Sequence, residues 1–236
     1  LATPAINAAL PAVRQHVLQQ AHTLKRGATL LLRSLGDSPQ VCTDPKAVVE
    51  ETVCGLRYRF VAGEFFQNNP FLLPQLVTYV MEQAQAFGVP YLVDAYCGVG
   101  LFALAAHTRF RQVFGIEISG AAVALARSNA TLNGIENVTF TEGSAENIFE
   151  TLPCQGAQTV LVIDPPRRGC DEAFLDQVLQ YKPRGIVYVS CAPDTQARDL
   201  AYWCTRGYRL AGMQPFDLFP QTRHIESVAT LQLVSS

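Results

Sequence analysis

What this sequence lacks sets its first bounds. Its seven cysteines (Cys42, Cys54, Cys97, Cys154, Cys170, Cys191 and Cys204) are odd in number, scattered and never spaced as CxxC. That argues against a disulfide framework or a zinc site and for a reducing, intracellular compartment. No apolar stretch approaches the ~20 residues of a membrane span, and no basic segment leads into an apolar one near the N-terminus. Neither a membrane anchor nor a signal peptide is therefore expected. There is no internal repeat, no low-complexity tract and no strong excess of one charge: the net charge is −2, which gives no global sign of a nucleic-acid partner. An initiating Met is also missing, and a chain that begins at Leu1 reads as a fragment or a processed product. What remains is a soluble globular protein of 236 residues with 49% hydrophobic content, enough for one large domain or one domain plus a smaller one.

The pattern along the chain divides it near residue 69. Residues 3–24 carry Ile6, Leu10, Val13, Val17 and Leu18 near helical spacing, with Pro11 expected to start or kink the helix. Thr29–Leu32, Val48–Val53 and Leu56–Val61 read as short strands, and Cys54-Gly55 as a hairpin turn. Residues 1–69 thus form a helix plus a small β-rich subdomain. From 70 to 236 helices and strands alternate: a helix over 71–87, then strands near 91–96, 112–117, 137–141, 159–163 and 185–190, with helical segments between them. This predicts an α/β fold with a doubly wound, mostly parallel sheet. Tyr208–Leu233 holds two more strands and predicts an antiparallel hairpin at the sheet edge.

Two glycine-bearing loops and one cysteine carry the chemistry. Ser190-Cys191 closes the run Gly185-Ile-Val-Tyr-Val189, and Pro193 suits the first turn of a following helix. Cys191 is therefore expected at a strand-to-helix switch, where open sheets bind ligands and a helix N-terminus favours a thiolate. Taken alone, it would read as a buried structural cysteine. Asp94-Ala-Tyr-Cys-Gly-Val-Gly100 also follows an apolar strand and opens a helix. Gly98, Gly100 and Ala103 fit a dinucleotide fingerprint, and Glu117 stands where an acidic residue would hold a ribose. Nicotinamide dinucleotides and S-adenosylmethionine both present that ribose. The polar Asp94 and Tyr96 ahead of the glycines, and a second strand-ending loop, Asp164-Pro-Pro-Arg-Arg-Gly169, favour the methyl donor. Lys25 with Arg26 and Arg33, Arg57 with Arg59, Arg167 with Arg168, and Arg223 with His224 are local basic clusters that gain meaning as phosphate contacts only by converging on one surface.

Taken together, Phe65-Phe-Gln-Asn-Asn69, Asp94 to Gly100, Asp164 to Gly169, Ser190-Cys-Ala-Pro-Asp-Thr-Gln-Ala-Arg-Asp199 and Phe219-Pro-Gln-Thr-Arg-His-Ile-Glu226 resemble, in order, the RNA 5-methyluridine methyltransferase family, of the tRNA (uracil-5-)-methyltransferase type. The resemblance covers about residues 60 to 234. It implies a class I, Rossmann-like catalytic domain, with Cys191 as nucleophile and Glu226 as base, and with Gln67, Tyr96, Gly98, Gly100, Glu117 and Asp164 lining an S-adenosylmethionine site. Read alone, Glu226 would be a surface carboxylate and Gln67 an ordinary polar loop residue. One departure stands out: the family pattern has Asn after the cysteine, and this chain has Ala192. The N-terminal RNA-binding β-barrel and the cysteine-bound iron-sulfur cluster of some members are not visible in these residues.

The implied chemistry needs no metal. Cys191 adds to C6 of a uridine, C5 takes the methyl group of S-adenosylmethionine, and Glu226 removes the C5 proton so that the thiolate leaves. The expected partner is an RNA, a tRNA T-loop first and ribosomal RNA second, with the target base flipped out. A 5-methylcytosine enzyme would be expected to carry a second cysteine in the Asp164 loop, where Arg167 stands. An NAD-dependent dehydrogenase accounts for the glycine loop alone. A non-catalytic RNA-binding fragment is the third alternative.

Overall fold

The strands that read as continuous apolar runs are buried on both faces. Every residue of Thr159–Ile163 (β8) and Gly185–Ser190 (β9) is buried. Strands of that kind belong inside a parallel sheet covered by helices on both sides. The computed structural model describes residues 2–25, 27, 29–36, 40–143, 148–149 and 152–234. Its main sheet adds Tyr91–Ala95 (β5), Gln112–Glu117 (β6), Val138–Glu142 (β7), Tyr208–Phe216 (β10) and Glu226–Leu233 (β11), in the order β10-β11-β9-β8-β5-β6-β7. β7, β6, β5, β8 and β9 run parallel, and β11 is antiparallel to both β9 and β10. The doubly wound sheet and its antiparallel edge are those expected.

Alternation along each strand sorts side chains into two cores. Val160, Val162, Val187 and Val189 join a core with Leu73–Gln85 (α2), Leu101–Ala105 (α3) and Gly120–Leu132 (α4). Leu161, Ile163, Ile186 and Tyr188 face the opposite way, onto Glu172–Tyr181 (α5) and Pro193–Cys204 (α6), where Phe174 and Trp203 are fully buried. Each such side chain contributes about 1.5–3 kcal/mol relative to leaving it exposed.

The chain departs from the sequence reading in three places, two of them in its N-terminal part. Pro4–Gln19 (α1) runs through Pro11, which lies inside the helix rather than at its start, and Thr3 Oγ1 caps it by accepting from Ile6 N at 3.4 Å. Thr29–Leu32 is not a strand: the ladder among the described residues there is Arg33–Ser34 (β1) against Val41–Cys42 (β2), none of the described residues pairs with the preceding run, and Leu30 stays exposed. Between β7 and β8 the described residues form no α-helix, only a 3-10 turn at Gly156–Gln158. The hairpin Val48–Val53 (β3) and Leu56–Val61 (β4) forms as expected, with Cys54 and Gly55 both at positive φ, the signature of a tight I′-type turn.

The hairpin docks on α4 through two asparagines. Asn129 Oδ1 accepts from Arg59 N at 2.8 Å, while its Nδ2 donates to the carbonyls of Arg59 and Val99, both at 3.1 Å. One turn later Asn133 repeats the pattern on Arg57, at 2.9 and 2.7 Å. These amides act as a substitute strand along the edge of β4, and Val49, Val53, Tyr58 and Phe60 then share a core with α2, α3 and α4. Asn129→Ala strands partly buried backbone groups of Arg59 and Val99, and a fully buried one would cost about 1–3 kcal/mol. We therefore expect it to lower the urea midpoint clearly with an unchanged m-value, and Asn133→Ala, at a partly exposed position, to lower it less.

Candidate active site

The chemistry gathers at one edge of the sheet because β5, β6, β8 and β9 end there and antiparallel β11 begins there. Ser227 pairs with Ser190, so Glu226, the first residue of β11, lies beside the turn that carries Cys191. Gln196 of α6 ties the two strands together. Its Nε2 donates to the carbonyls of Tyr188 and Ser227, at 3.0 and 3.3 Å, and its Oε1 accepts from the Ser227 hydroxyl.

Glu226 is buried, not on the surface where its sequence context alone would put it. It is 1% exposed, and its Oε1 has no hydrogen-bond partner among the described residues. Burial, then the neighbouring Asp164 carboxylate, raise its pKa to about 8, against the pull of Arg167. Asp164 follows β8 and is pushed up to about 7 by burial, while a hydrogen bond from Gln67 pulls it down. Gln67 is itself buried, in a segment stapled across the cleft by Asn69 Nδ2, which donates to the Leu218 carbonyl at 3.1 Å.

Cys191 is half-buried at the strand-to-helix switch, as expected. The expected gain from the helix N-terminus is outweighed. Burial and the Glu226 carboxylate push the thiol above its ordinary value, and a hydrogen bond from Arg167 pulls it down. The backbone of Ala192, where the family pattern has Asn, is held on both sides: Ser190 Oγ accepts from Ala192 N at 3.1 Å, and Thr195 Oγ1 donates to the Ala192 carbonyl at 3.1 Å.

The glycine loop lies at the same edge. Tyr96, Gly98 and Gly100 all have positive φ, and a Cβ on Gly100 would come within 2.8 Å of the Phe140 ring. Glu117, at the end of β6, accepts from Gly98 N at 3.0 Å through Oε2 and from Ser119 N at 2.9 Å through Oε1, and so fixes the loop while keeping lone pairs to spare. Asp94 is fully buried. Its Oδ2 accepts from Ala103 N at 2.8 Å, its Oδ1 has no partner among the described residues, and burial raises its pKa well above its ordinary value. Tyr96 turns its half-buried ring onto Phe174 of α5, with centroids 5.3 Å apart.

The predicted site residues therefore fall into two adjoining groups: Cys191, Glu226, Asp164 and Gln67, and Gly98, Gly100 and Glu117 with Tyr96 beside them. Asp94 and Asp164 sense each other's charge and link the groups. Sequence reading took Arg167 only as a phosphate contact and gave Gln196 no role, although both lie in the quoted motifs. Of the basic clusters, Arg57 and Arg59 pair with Glu50, Arg33 lies over the Phe60 ring, and Arg167 approaches His224 Nδ1 at 3.5 Å; Arg26 lies outside the described residues. A cavity of about 770 Å³ on the β6–β7 face, lined in part by Phe114, Thr139 and Leu152, contains none of the reactive groups.

Asp164 and Glu226 hold protons in the folded chain that the unfolded chain releases near pH 4–4.5. The native state thus binds more protons from there up to about pH 8, so its stability falls as pH rises through that window. Denaturation midpoints should drop between pH 5 and pH 9. Glu226→Gln should flatten that drop, leaving the variant more stable than the parent at pH 9.

Residues 46–234 match the family profile described as tRNA (Uracil-5-)-methyltransferase. The chain is 44% identical to the tRNA (uracil(54)-C(5))-methyltransferase of Schizosaccharomyces pombe, over 100% of this chain and 47% of that protein. It is 36% identical to the Saccharomyces cerevisiae protein of the same name, over 99% of this chain and 44% of the other. It thus spans about half the length of these curated relatives. Among solved structures, the Pyrococcus abyssi tRNA (uracil-54, C5)-methyltransferase in complex with S-adenosyl-L-homocysteine superposes with a TM-score of 0.68 at 29% identity, over 81% of this chain and 45% of that one. Pyrococcus abyssi Trm5b, at 14% identity and a TM-score of 0.63 over 83% of this chain and 58% of that one, shares the fold. Profile, relatives and fold agree with the order and placement of the motifs, and the chain belongs to the tRNA (uracil-5-)-methyltransferase family.

Proposed function

We propose that this chain transfers a methyl group from S-adenosylmethionine to C5 of a uridine in tRNA, in the T-loop, through a covalent bond between Cys191 and C6. The observation that carries this reading is the adjacency of a half-buried cysteine and a buried carboxylate with an unpartnered oxygen, at the sheet edge that also bears the glycine loop. Catalysis by a relative of this family on tRNA would place the protein inside the cell. Residues 70–236 act as the catalytic domain, and residues 1–69 as a helix and β-rich subdomain leaning on it.

The cofactor fits the second group of residues. Gly98 has open space where a Cβ would stand, Glu117 offers free lone pairs, and Asp94 Oδ1, without a partner among the described residues, gives the site a buried polar atom to be satisfied. Gly98, Gly100, Glu117 and Tyr96 would hold it, with Gln67 and Asp164 between it and the nucleophile. When bound, S-adenosylmethionine supplies an electrophilic methyl group for C5.

The protein's own residues do the rest. Uracil C5 is a weak nucleophile until the Cys191 thiolate adds to C6 and pushes electron density onto C5 and O4. Glu226 must be ionised to take the C5 proton after methylation, and its raised pKa makes it a strong base once it is. Removal of that proton restores the ring double bond and expels Cys191. The target base must leave its stack to reach a buried carboxylate, at a cost of a few kcal/mol.

Cys191→Ala should abolish methylation while leaving S-adenosylmethionine binding within a few-fold of the parent, measured by calorimetric titration. Loss of cofactor binding in that variant would count against the assignment. With a 5-fluorouridine T-loop hairpin and S-adenosylmethionine, the parent should form a denaturation-resistant adduct on Cys191, because Glu226 cannot remove fluorine as a proton. Glu226→Gln should trap a similar adduct on ordinary uridine and lower kcat by about 10²–10⁴-fold.

A further inference from the structure

We propose that Gln196, through its hydrogen bonds to Ser227 and to the Tyr188 carbonyl, is a positioning residue that holds Glu226 where it can remove the C5 proton beside Cys191. The inference rests on the uridine reading for the step it acts on, and one arm of its test needs no RNA.

The ladder between β9 and β11 stops just short of the reactive pair. Its last rung joins Ser190 to Ser227, and the next step of that antiparallel register would set Glu226 opposite Cys191, where β9 gives way to α6. On its other side Glu226 still pairs with Phe216 of β10. The base is thus anchored toward β10 but lies past the last rung on the side of the nucleophile. Element ends of this kind are where a fold opens most readily.

Gln196 secures that end from the opposite face of the sheet. Alternation along β11 turns Ser227, with Ala229 and Leu231, toward α6, and Glu226, with Val228, toward α2. Gln196 is 1% exposed, and its amide is almost fully used: Nε2 donates to the carbonyls of Tyr188 and Ser227, at 3.0 and 3.3 Å, and Oε1 accepts from the Ser227 hydroxyl. The reverse orientation would aim Oε1 at two carbonyls, so the amide fits in one way. Its backbone is held too, since Gln196 N donates at 3.1 Å to the carbonyl of Ala192, the residue after Cys191. One side chain therefore joins the neighbour of Glu226, the strand that leads into Cys191 and the helical turn that follows it. A buried amide is costly unless its groups are paired, and here the pairing falls on the open end of the ladder.

The step that needs this hold is the last one. Addition of the Cys191 sulfur to C6 and methylation of C5 leave Glu226 unchanged. Elimination then passes the C5 proton to a Glu226 oxygen, the C–H pair becomes the C5–C6 double bond, and the C6–S pair returns to sulfur. A misplacement of about 1 Å can cost such a step about 10²-fold. Loosening the ladder end should slow elimination more than addition, so that the methylated adduct on Cys191 accumulates.

The test compares the parent with Gln196→Met, which keeps an unbranched side chain and removes its hydrogen bonds, on a T-loop hairpin of ordinary uridine with S-adenosylmethionine. The kcat should fall by about 10–10²-fold while KM for RNA and cofactor binding stay within a few-fold. A denaturation-resistant adduct on the Cys191 peptide should build up by mass spectrometry, which a smaller folded fraction would not produce. Ser227→Ala should act in the same direction and more weakly, Ser227→Thr, which keeps the hydroxyl, should match the parent, and the Gln196→Met, Ser227→Ala double variant should be no worse than Gln196→Met alone. A parent-like kcat in Gln196→Met, or a fall without adduct, would overturn the proposal. The arm without RNA follows the drop in denaturation midpoint between pH 5 and pH 9, to which buried Glu226 contributes. Gln196→Met should flatten it toward Glu226→Gln, because a released Glu226 regains water, and a drop as steep as that of the parent would overturn the proposal. Should the parent form no fluorouridine adduct, the uridine reading falls, and this second arm decides by itself whether Gln196 holds Glu226.

Discussion

The ladder between β9 and β11 is the interaction on which the site depends. A purely parallel sheet would bring every strand's carboxyl end to the reactive edge, and β11 contributes its amino end there because it runs the other way. That reversal sets Glu226 next to Cys191 across a hydrogen-bonded register, with Gln196 bridging both backbones from α6. A slip of one residue would turn the Glu226 side chain to the opposite face of the sheet. The buried apolar side chains on both faces of β11 oppose such a slip, since Val228 packs in one core and Ala229 and Leu231 in the other.

The second constraint is electrostatic. Asp94, Asp164 and Glu226 are gathered where solvent is largely excluded, and burial is the leading cause of the upward shift of each. In the absence of ligands the low-cost state of such a cluster is protonated. The proposed reaction needs Glu226 as a base and Cys191 as a thiolate, so the site must trade protons for other positive charge. Arg167 supplies part of it permanently, and a sulfonium cofactor would add to it on binding. The raised pKa of Glu226 is thus both a cost to the empty fold and a source of basicity for proton abstraction.

The loop after β8 and helix α6 show how rigidity is delivered to this edge. Three side chains of α6 hold the backbone of residues 167–170, and one buried carboxylate, Asp199, collects donors from that loop and from β9. The glycine loop is held in the same manner by Glu117 and Asp94, which accept from backbone N–H groups of Gly98 and Ala103. In both places an acidic side chain organises backbone, and the reactive groups sit beside it on a frame that is already set.

Sequence alone determined most of the architecture. Apolar runs such as Thr159–Ile163 and Gly185–Ser190 announce buried parallel strands, because full burial on both faces removes the polar alternation that would otherwise mark them. The Cys54-Gly55 turn, the edge hairpin and the order of the loop motifs were legible for similar local reasons. Thr29–Leu32 misled because β-propensity does not supply a partner strand, and the continuity of α1 through Pro11 shows that the loss of one helical hydrogen bond need not end a helix. Glu226 could be named from its motif, but its burial, its raised pKa and its place beside Cys191 could not. Nor could the hold of Asn129 on β4. Those are non-local facts: they arise where segments far apart in sequence meet in a low-dielectric interior, and only the tertiary structure decides which charges share it.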